Sequence, residues 1–290
     1  MIKRVLIGVL ALAVVVAGSF VGYGYWTRRG APTFSRGGVF EAEPTPARQP
    51  QHGKTKVAAG KAKDRQRSSV SDPNWSETSV PTTGPVATNY GIVVSKAAIG
   101  AYSYEGTGFE RVNFGGASAC SWDIDEVSLS VRKDPAGRIF DWTYSDQHVE
   151  RHVVSYRDDG MYTEFLGSAV TCVGVRKTSE DTYDPPALRL PFPVRAGDTW
   201  TERSSTEERD ERIRGEILRR KRITVPAGTF EVYVVHIEGT LSGSQTGTFE
   251  TTRWISADLG ITVMEDVRTD VDAGSAKYIG EMHLELASLP

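Results

Sequence analysis

The segment VPAGTFEVYVVHIEG (residues 225–239) reads as a tight turn feeding a long strand. Pro226 presets one backbone angle of the turn, and Gly228 supplies the conformations that other residues resist. From Phe230 to Ile237 the chain is then rich in β-branched and aromatic side chains, the types that suit a pleated surface. Ser242-Gly243-Ser244 breaks the run, and GTFETTRWI (residues 247–255) returns, so two hairpins share this strand.

The same punctuation continues in both directions. Downstream, Ala257-Asp258-Leu259-Gly260 separates the returning strand from residues 261–267, and a turn near Ala273-Gly274 precedes residues 276–286. Upstream, SLSVR (residues 128–132) leads through Asp134-Pro135-Ala136-Gly137 into a strand on which Phe140, Trp142 and Tyr144 share one face. Residues 148–157 reach Asp159-Gly160, a strong hairpin signal, and residues 161–165 come back. About ten strands with no sustained helical period predict an all-β domain, an antiparallel meander forming a curved sheet, half-barrel or barrel. EERDERIRGEILRRKR (residues 207–222) fits less easily. Its composition suits an exposed helix interrupted by Gly215, but the neighbouring hairpins favour a charged strand, whose charges oppose edge pairing.

Before this domain the chain changes character twice. Lys3 and Arg4 precede an uncharged, largely aliphatic run over residues 5–26 that closes with Tyr23, Tyr25 and Trp26. About 22 residues at helical rise cover roughly 33 Å, enough for a hydrocarbon core of about 30 Å. Residues 1–27 therefore read as an N-terminal signal-anchor helix that places residues 5–26 in a lipid bilayer. A cleaved secretory signal ending near Ala17-Gly18-Ser19 is the alternative. Residues 28–85 are rich in Pro, Gly, Ser, Thr, Lys and Arg and read as a disordered basic linker. Its Lys and Arg residues suit anionic lipid or wall polymer, and Asn74-Trp75-Ser76 is a glycosylation sequon. The β-rich domain then spans residues 86–290.

The basic linker counts against an extracytoplasmic domain under the positive-inside rule. The cysteines count for it. There are two, Cys120 and Cys172, and a disulfide between them would suit an oxidising compartment; two buried thiols are the alternative. Together with the signal-like N-terminus they favour a single-pass membrane protein with its C-terminal domain outside. The net charge of −3 gives no reason to expect nucleic acid as a partner.

Chemistry is sparsely signalled. His148, Glu150 and His152 alternate, so a strand would put them on one face about 7 Å apart in succession, and they are the candidate metal ligands. They lack the zinc-protease spacing. Ser168, Ser242 and Ser244 have no nucleophile-elbow context, Gly106-Thr107-Gly108 is no phosphate loop, and Asp270-Val271-Asp272-Ala273-Gly274 is too ligand-poor for calcium. His236 and His283 fall in strand-like stretches as packing or hydrogen-bonded positions. Arg219, Arg220, Lys221 and Arg222 form a basic patch open to anions. No cofactor is implied. Phe140, Trp142, Tyr144, Trp200, Tyr233 and Trp254 are the candidate ligand-binding residues, since rings on a concave sheet line a cavity as well as they fill a core.

Val225-Pro226-Ala227-Gly228-Thr229-Phe230, Thr252-Arg253-Trp254-Ile255-Ser256 and Asp258-Leu259-Gly260-Ile261 resemble a large family of bacterial envelope β-proteins of unknown function. That family is similar to the lipoprotein-localisation-factor folds, which are curved antiparallel half-barrels. Gly100-Ala101-Tyr102-Ser103-Tyr104, Gly115-Gly116 and the hairpin of residues 142–160 resemble single-pass membrane proteins of actinobacteria. The resemblance covers roughly residues 90–290 and implies an architecture without catalytic residues. The expectation is a non-enzymatic envelope protein whose β domain binds an apolar ligand, a lipid or acyl chain, or an envelope partner. The alternatives are an envelope hydrolase or metal enzyme using His148, Glu150 and His152, and a structural or sensory module binding anionic wall polymers.

Overall fold

In the computed structural model the residues described are 33–34, 36, 38–39, 91–114, 118–274 and 276–290. They belong to one compact unit, Met1–Glu41 with Tyr90–Pro290; a second, Ala42–Asn89, lies outside the described residues. So do residues 5–26, the sequon and most of the basic linker. No helix among the described residues is long and apolar enough to cross a membrane.

Every regular element described is a strand. Within the stretch read as linker, β1 (Thr33–Phe34) pairs with β2 (Gly38–Val39). The domain follows with β3 (Gly100–Phe114), β4 (Ser118–Asp123), β5 (Glu126–Lys133), β6 (Gly137–Thr143), β7 (His148–Arg157), β8 (Gly160–Cys172) and β9 (Val175–Pro191). It ends with β10 (Thr199–Ser205), β11 (Arg209–Val225), β12 (Gly228–Gly243), β13 (Thr246–Ser256), β14 (Ile261–Asp272) and β15 (Ala276–Ser288).

Each neighbouring pair is antiparallel, and β3 to β15 form one sheet of thirteen strands. β4 and β5 pair in succession with the same edge of β3, as one long strand broken at Ile124-Asp125. The last strand, β15, returns to pair with β3 along nearly its whole length. The meander thus curls into a nearly closed barrel whose open seam lies between β9 and β10, which run side by side without a ladder. Pro185 and Pro186 in β9 lack the N–H that a partner across this seam would need.

Side chains replace the missing ladder. Arg189 of β9 reaches past β10 to form an ion pair with Glu211 of β11, and the Tyr183 hydroxyl donates to Glu211 at 2.9 Å. Arg209 lies 3.3 Å from the Asp181 carboxylate and donates to the Tyr183 oxygen at 3.0 Å, while Thr206 donates to Asp181 at 2.8 Å. These groups form a polar clasp across the seam.

The segment at residues 207–222 is strand, as its neighbours suggest, with an irregularity between Ile217 and Arg219. Gly215 is explained by Trp200, whose ring occupies the space a β-carbon there would need. β12 is buried at four successive positions, Val232 to Val235, so both of its faces are covered. Val232 and Val234 pack with Val263, Leu284 and Leu286, and Tyr233, Val235 and Ile237 with Ile213, Ile217 and Val194. The unalternating VYVV run is the sequence form of a doubly covered strand. Strands beyond the expected ten come from segments whose patterns are weak: β3 carries several glycines, β4 is short and β9 contains the two prolines.

Cys120 and Cys172 are disulfide-bonded, with α-carbons 5.7 Å apart. The bond joins β4 to β8 beside the short β6–β7 turn, where β4 has no strand on its other edge among the described residues. On the outer wall, Phe34 of β1 rests on Gly167 among Ile139, Val149, Val153, Phe165 and Ala169.

Candidate functional site

Strand alternation places Phe140 and Trp142 of β6, with Tyr144 just past its end, on the same inner face as His148, Glu150 and His152 of β7, in the register Phe140 to His152 and Trp142 to Glu150. The two sets expected separately from sequence therefore form one surface. Tyr104, Trp142, Tyr144 and His148 make a column of rings with successive centroids 5.2, 5.8 and 5.0 Å apart. A cavity of about 90 Å³ lies beside Phe140, Trp142, Tyr144 and His152. Trp200 and Tyr233 belong to the core between β11, β12 and β13, and Trp254 lies in the neighbouring cluster with Lys221 over its ring. These rings chiefly fill the barrel.

The polar centre of the interior is a residue the sequence did not single out. Glu110 of β3 is fully buried, with its carboxylate 2.6 Å from His148 Nδ1. It also accepts hydrogen bonds from the Tyr278 hydroxyl and, at 2.5 Å, from Trp122 Nε1. On the other side of the imidazole, His148 Nε2 lies 3.3 Å from Ser168 Oγ and 3.4 Å from Glu150, whose second oxygen is 2.9 Å from His152 Nε2.

Charge follows from this packing. Burial alone disfavours the imidazolium of His148, but the adjoining Glu110 and Glu150 carboxylates more than reverse this and push its pKa up to about 10. Burial likewise works against the Glu110 and Glu150 carboxylates, and their bonds to His148 hold both below the usual carboxylate range. The order Ser168, His148, Glu110 has the connectivity of an acyl-transfer triad. Its protonation is the reverse of what such a triad needs, because a charged imidazole has no lone pair with which to take a proton from serine. Among the described residues no group of three His, Cys, Asp or Glu side chains is placed to hold a metal ion.

Beside this centre a second cavity, of about 190 Å³, lies at one mouth of the barrel. Val112, Leu166, Val170, Val271 and Ala276 supply its apolar lining and His148, Glu150, Ser168, Tyr278, Lys177 and Arg209 its polar lining, the two interleaved, since Val170 pairs with His148 and Lys177 and Val112 with Tyr278. On the outer face, β10 to β15 bound an open groove of about 950 Å³ in which Arg203, Arg212, Arg214 and Arg268 alternate with Glu238, Glu250 and Glu281. Mixed charge of this kind keeps an exposed sheet face solvated. Arg220 and Arg222 of the basic patch are paired with Glu231.

No protein-family model matches the sequence, and no curated protein does. The structure is similar in part to that of the hypothetical lipoprotein YmcC from Escherichia coli, at 11% identity over 65% of this chain and 85% of that one, with a TM-score of 0.32. It is also similar in part to a candidate lipoprotein from Parabacteroides distasonis, at 11% identity over 70% of this chain and 99% of that one, with a TM-score of 0.29. A candidate exported protein with a YmcC-like fold from Bacteroides fragilis gives 10% identity, the same coverage and a TM-score of 0.29.

Proposed function

We propose that this chain is a membrane-anchored envelope protein whose extracytoplasmic barrel acts by binding, and that the mouth cavity receives the apolar end of a small ligand. The observation that carries the reading is the cavity itself, in which Val112, Leu166, Val170, Val271 and Ala276 are interleaved with charged and polar side chains. Its 190 Å³ is about six waters' share of liquid volume and below the roughly 300 Å³ at which drug-sized pockets begin. A short apolar group fits it, and a whole acyl chain does not. Two further observations support the setting: the disulfide, which suits an oxidising compartment, and the apolar run at residues 5–26. Serine acyl transfer at Ser168 is disfavoured by the proton that Glu110 and Glu150 hold on His148.

The test is native mass spectrometry of the full chain purified from membranes, beside a Leu166→Trp variant that fills the cavity. A small bound species present in the parent and lost in the variant is the expected result. A parent with no bound species, and no uptake of added short-chain amphiphiles, would overturn the ligand reading and leave an envelope protein as the partner.

A further inference from the structure

Val173 is the one non-glycine residue with a positive φ, 48°, among the described residues. Cys172 and Val175 pair across the β8–β9 hairpin, so Val173 and Gly174, whose φ is 74°, form its two-residue turn. With both angles positive this is the primed hairpin turn, whose first position suits Asn, Asp or Gly. A β-branched side chain there is strained against its own backbone. The turn is held in place all the same, by the bond from Cys172 to Cys120 and by the Thr171 N–H, which donates to the Gln147 carbonyl at 2.7 Å.

Packing does not offset this strain. Val173 is 68% exposed and Val175 38%, so a braced hairpin presents two aliphatic side chains to the outside. Arg176 and Lys177 follow directly. Aliphatic groups with cations just behind them suit the headgroup region of an anionic bilayer, where apolar burial and charge attraction add.

The chain brings a bilayer within reach of this tip. Phe34 rests on Gly167 of the same strand, β8. Residue 26, where the apolar run ends, is eight positions from Phe34, at most about 29 Å of extended chain. From Gly167 to Cys172 the strand covers about 17 Å. A contact too weak to hold a free domain is sufficient for one tethered this closely, because the tether makes it intramolecular.

On the reading that residues 5–26 span a bilayer, we infer that the tip at residues 173–175 docks on that bilayer, with its valines below the headgroups and Arg176 and Lys177 at anionic phosphates. The same hairpin lines the mouth cavity through Val170 and Lys177, so docking sets that cavity beside the membrane.

Photo-crosslinking tests this on the full chain in nanodiscs of phosphatidylcholine and phosphatidylglycerol, with a trace of phosphatidylcholine carrying a headgroup diazirine and adducts mapped by peptide mass spectrometry. Adducts on residues 173–177 should exceed those on Pro226-Ala227, at the other end of β12 from the cavity's Gln245, by at least about fivefold. Val173→Asn, which suits the turn, should raise the unfolding midpoint in detergent and cut the tip adducts at least about threefold. A lower midpoint for Val173→Asn would make Val173 a packing residue and overturn the inference. Tip adducts undiminished in that variant would overturn it too. Their absence from a parent that the nanodiscs retain would overturn the docking and spare the anchor. Equal yields without phosphatidylglycerol would overturn the role of the two cations. A chain that the nanodiscs do not retain would overturn the anchored reading, and the docking with it.

Discussion

The ring of Trp200 lies flat against the backbone of Gly215, its partner in the β10–β11 register. A β-carbon at Gly215 would meet the ring carbons of Trp200 well inside van der Waals contact. Gly215→Ala must therefore displace the indole from a core that includes Ile213, Ile217 and Tyr233. The expected loss is about 1–3 kcal/mol, the usual cost of overpacking. On an exposed helix the same change would gain about 1 kcal/mol. Urea denaturation of the variant gives the sign directly, and a gain in stability would contradict the observed packing.

This glycine also shows where the sequence was readable and where it was not. Local signals carried the hairpins: Pro226-Ala227-Gly228, Asp159-Gly160 and Ala273-Gly274 each turn the chain where expected. Gly215 and the charges around it were ambiguous because their explanation, Trp200, comes from another strand. The candidate site was half visible for the same reason. His148, Glu150 and His152 alternate within one strand, so their common face follows from sequence. Glu110 is separated from His148 by 38 positions and from Tyr278 by 168; it meets Tyr278 because β15 closes the barrel against β3, and His148 because β4 to β7 stack on the other edge of β3. No periodicity within a segment records such a closure. Ser168 and Arg209 likewise become site residues only when β8, β11 and β14 face one another across the interior.

Glu110→Gln should be strongly destabilising, by about 3–5 kcal/mol, because it strands the buried His148 cation. The pH dependence separates this from a general packing loss. His148 has a folded pKa raised to about 10 from an unfolded value near 6.5. Its contribution is fully present below about pH 6.5 and is lost as pH rises towards 10, at no more than about 1.4 kcal/mol per unit. The parent should therefore lose stability between those pH values. In Glu110→Gln, where the main cause of the raised pKa is gone, that slope should flatten. Denaturation midpoints measured every half unit from pH 6 to 10 would show it, and parallel curves for the two proteins would refute the assigned charge state.

Removing the disulfide by Cys120→Ser with Cys172→Ser opens a loop of 52 positions. The chain-entropy model gives a loss of about 4 kcal/mol for a loop of that size. The wall beside the β6–β7 turn depends on this bond for its closure, so the loss should appear there first. Hydrogen exchange should rise in β4 before it rises in β12, which is covered on both faces. A uniform rise across both strands would mean that β4 does not open separately.

Phe34 makes a different kind of contact, because it comes from a two-strand hairpin outside the barrel sheet. Its ring sits on Gly167, edge-on to Phe165 at 6.4 Å, with the Arg151 guanidinium 5.2 Å from its centroid. Further ties include the hydrogen bond of the buried Arg151 guanidinium to the Arg36 carbonyl at 3.3 Å, and Arg36 itself lies 3.7 Å from Asp134 and 3.8 Å from Glu164, separations at which partly exposed ion pairs contribute little. Phe34→Ala should accordingly release the hairpin and leave the barrel folded, since β3 to β15 make their own ladder and cores. Trypsin cleavage after Arg36 then reports the released fraction and should accelerate at least about tenfold, with the midpoint of barrel unfolding little changed. A large fall in that midpoint would instead make Phe34 an integral part of the wall between β6 and β8, and cleavage at the parent rate would show that the polar ties of Arg36 and Arg151 hold the hairpin without the ring.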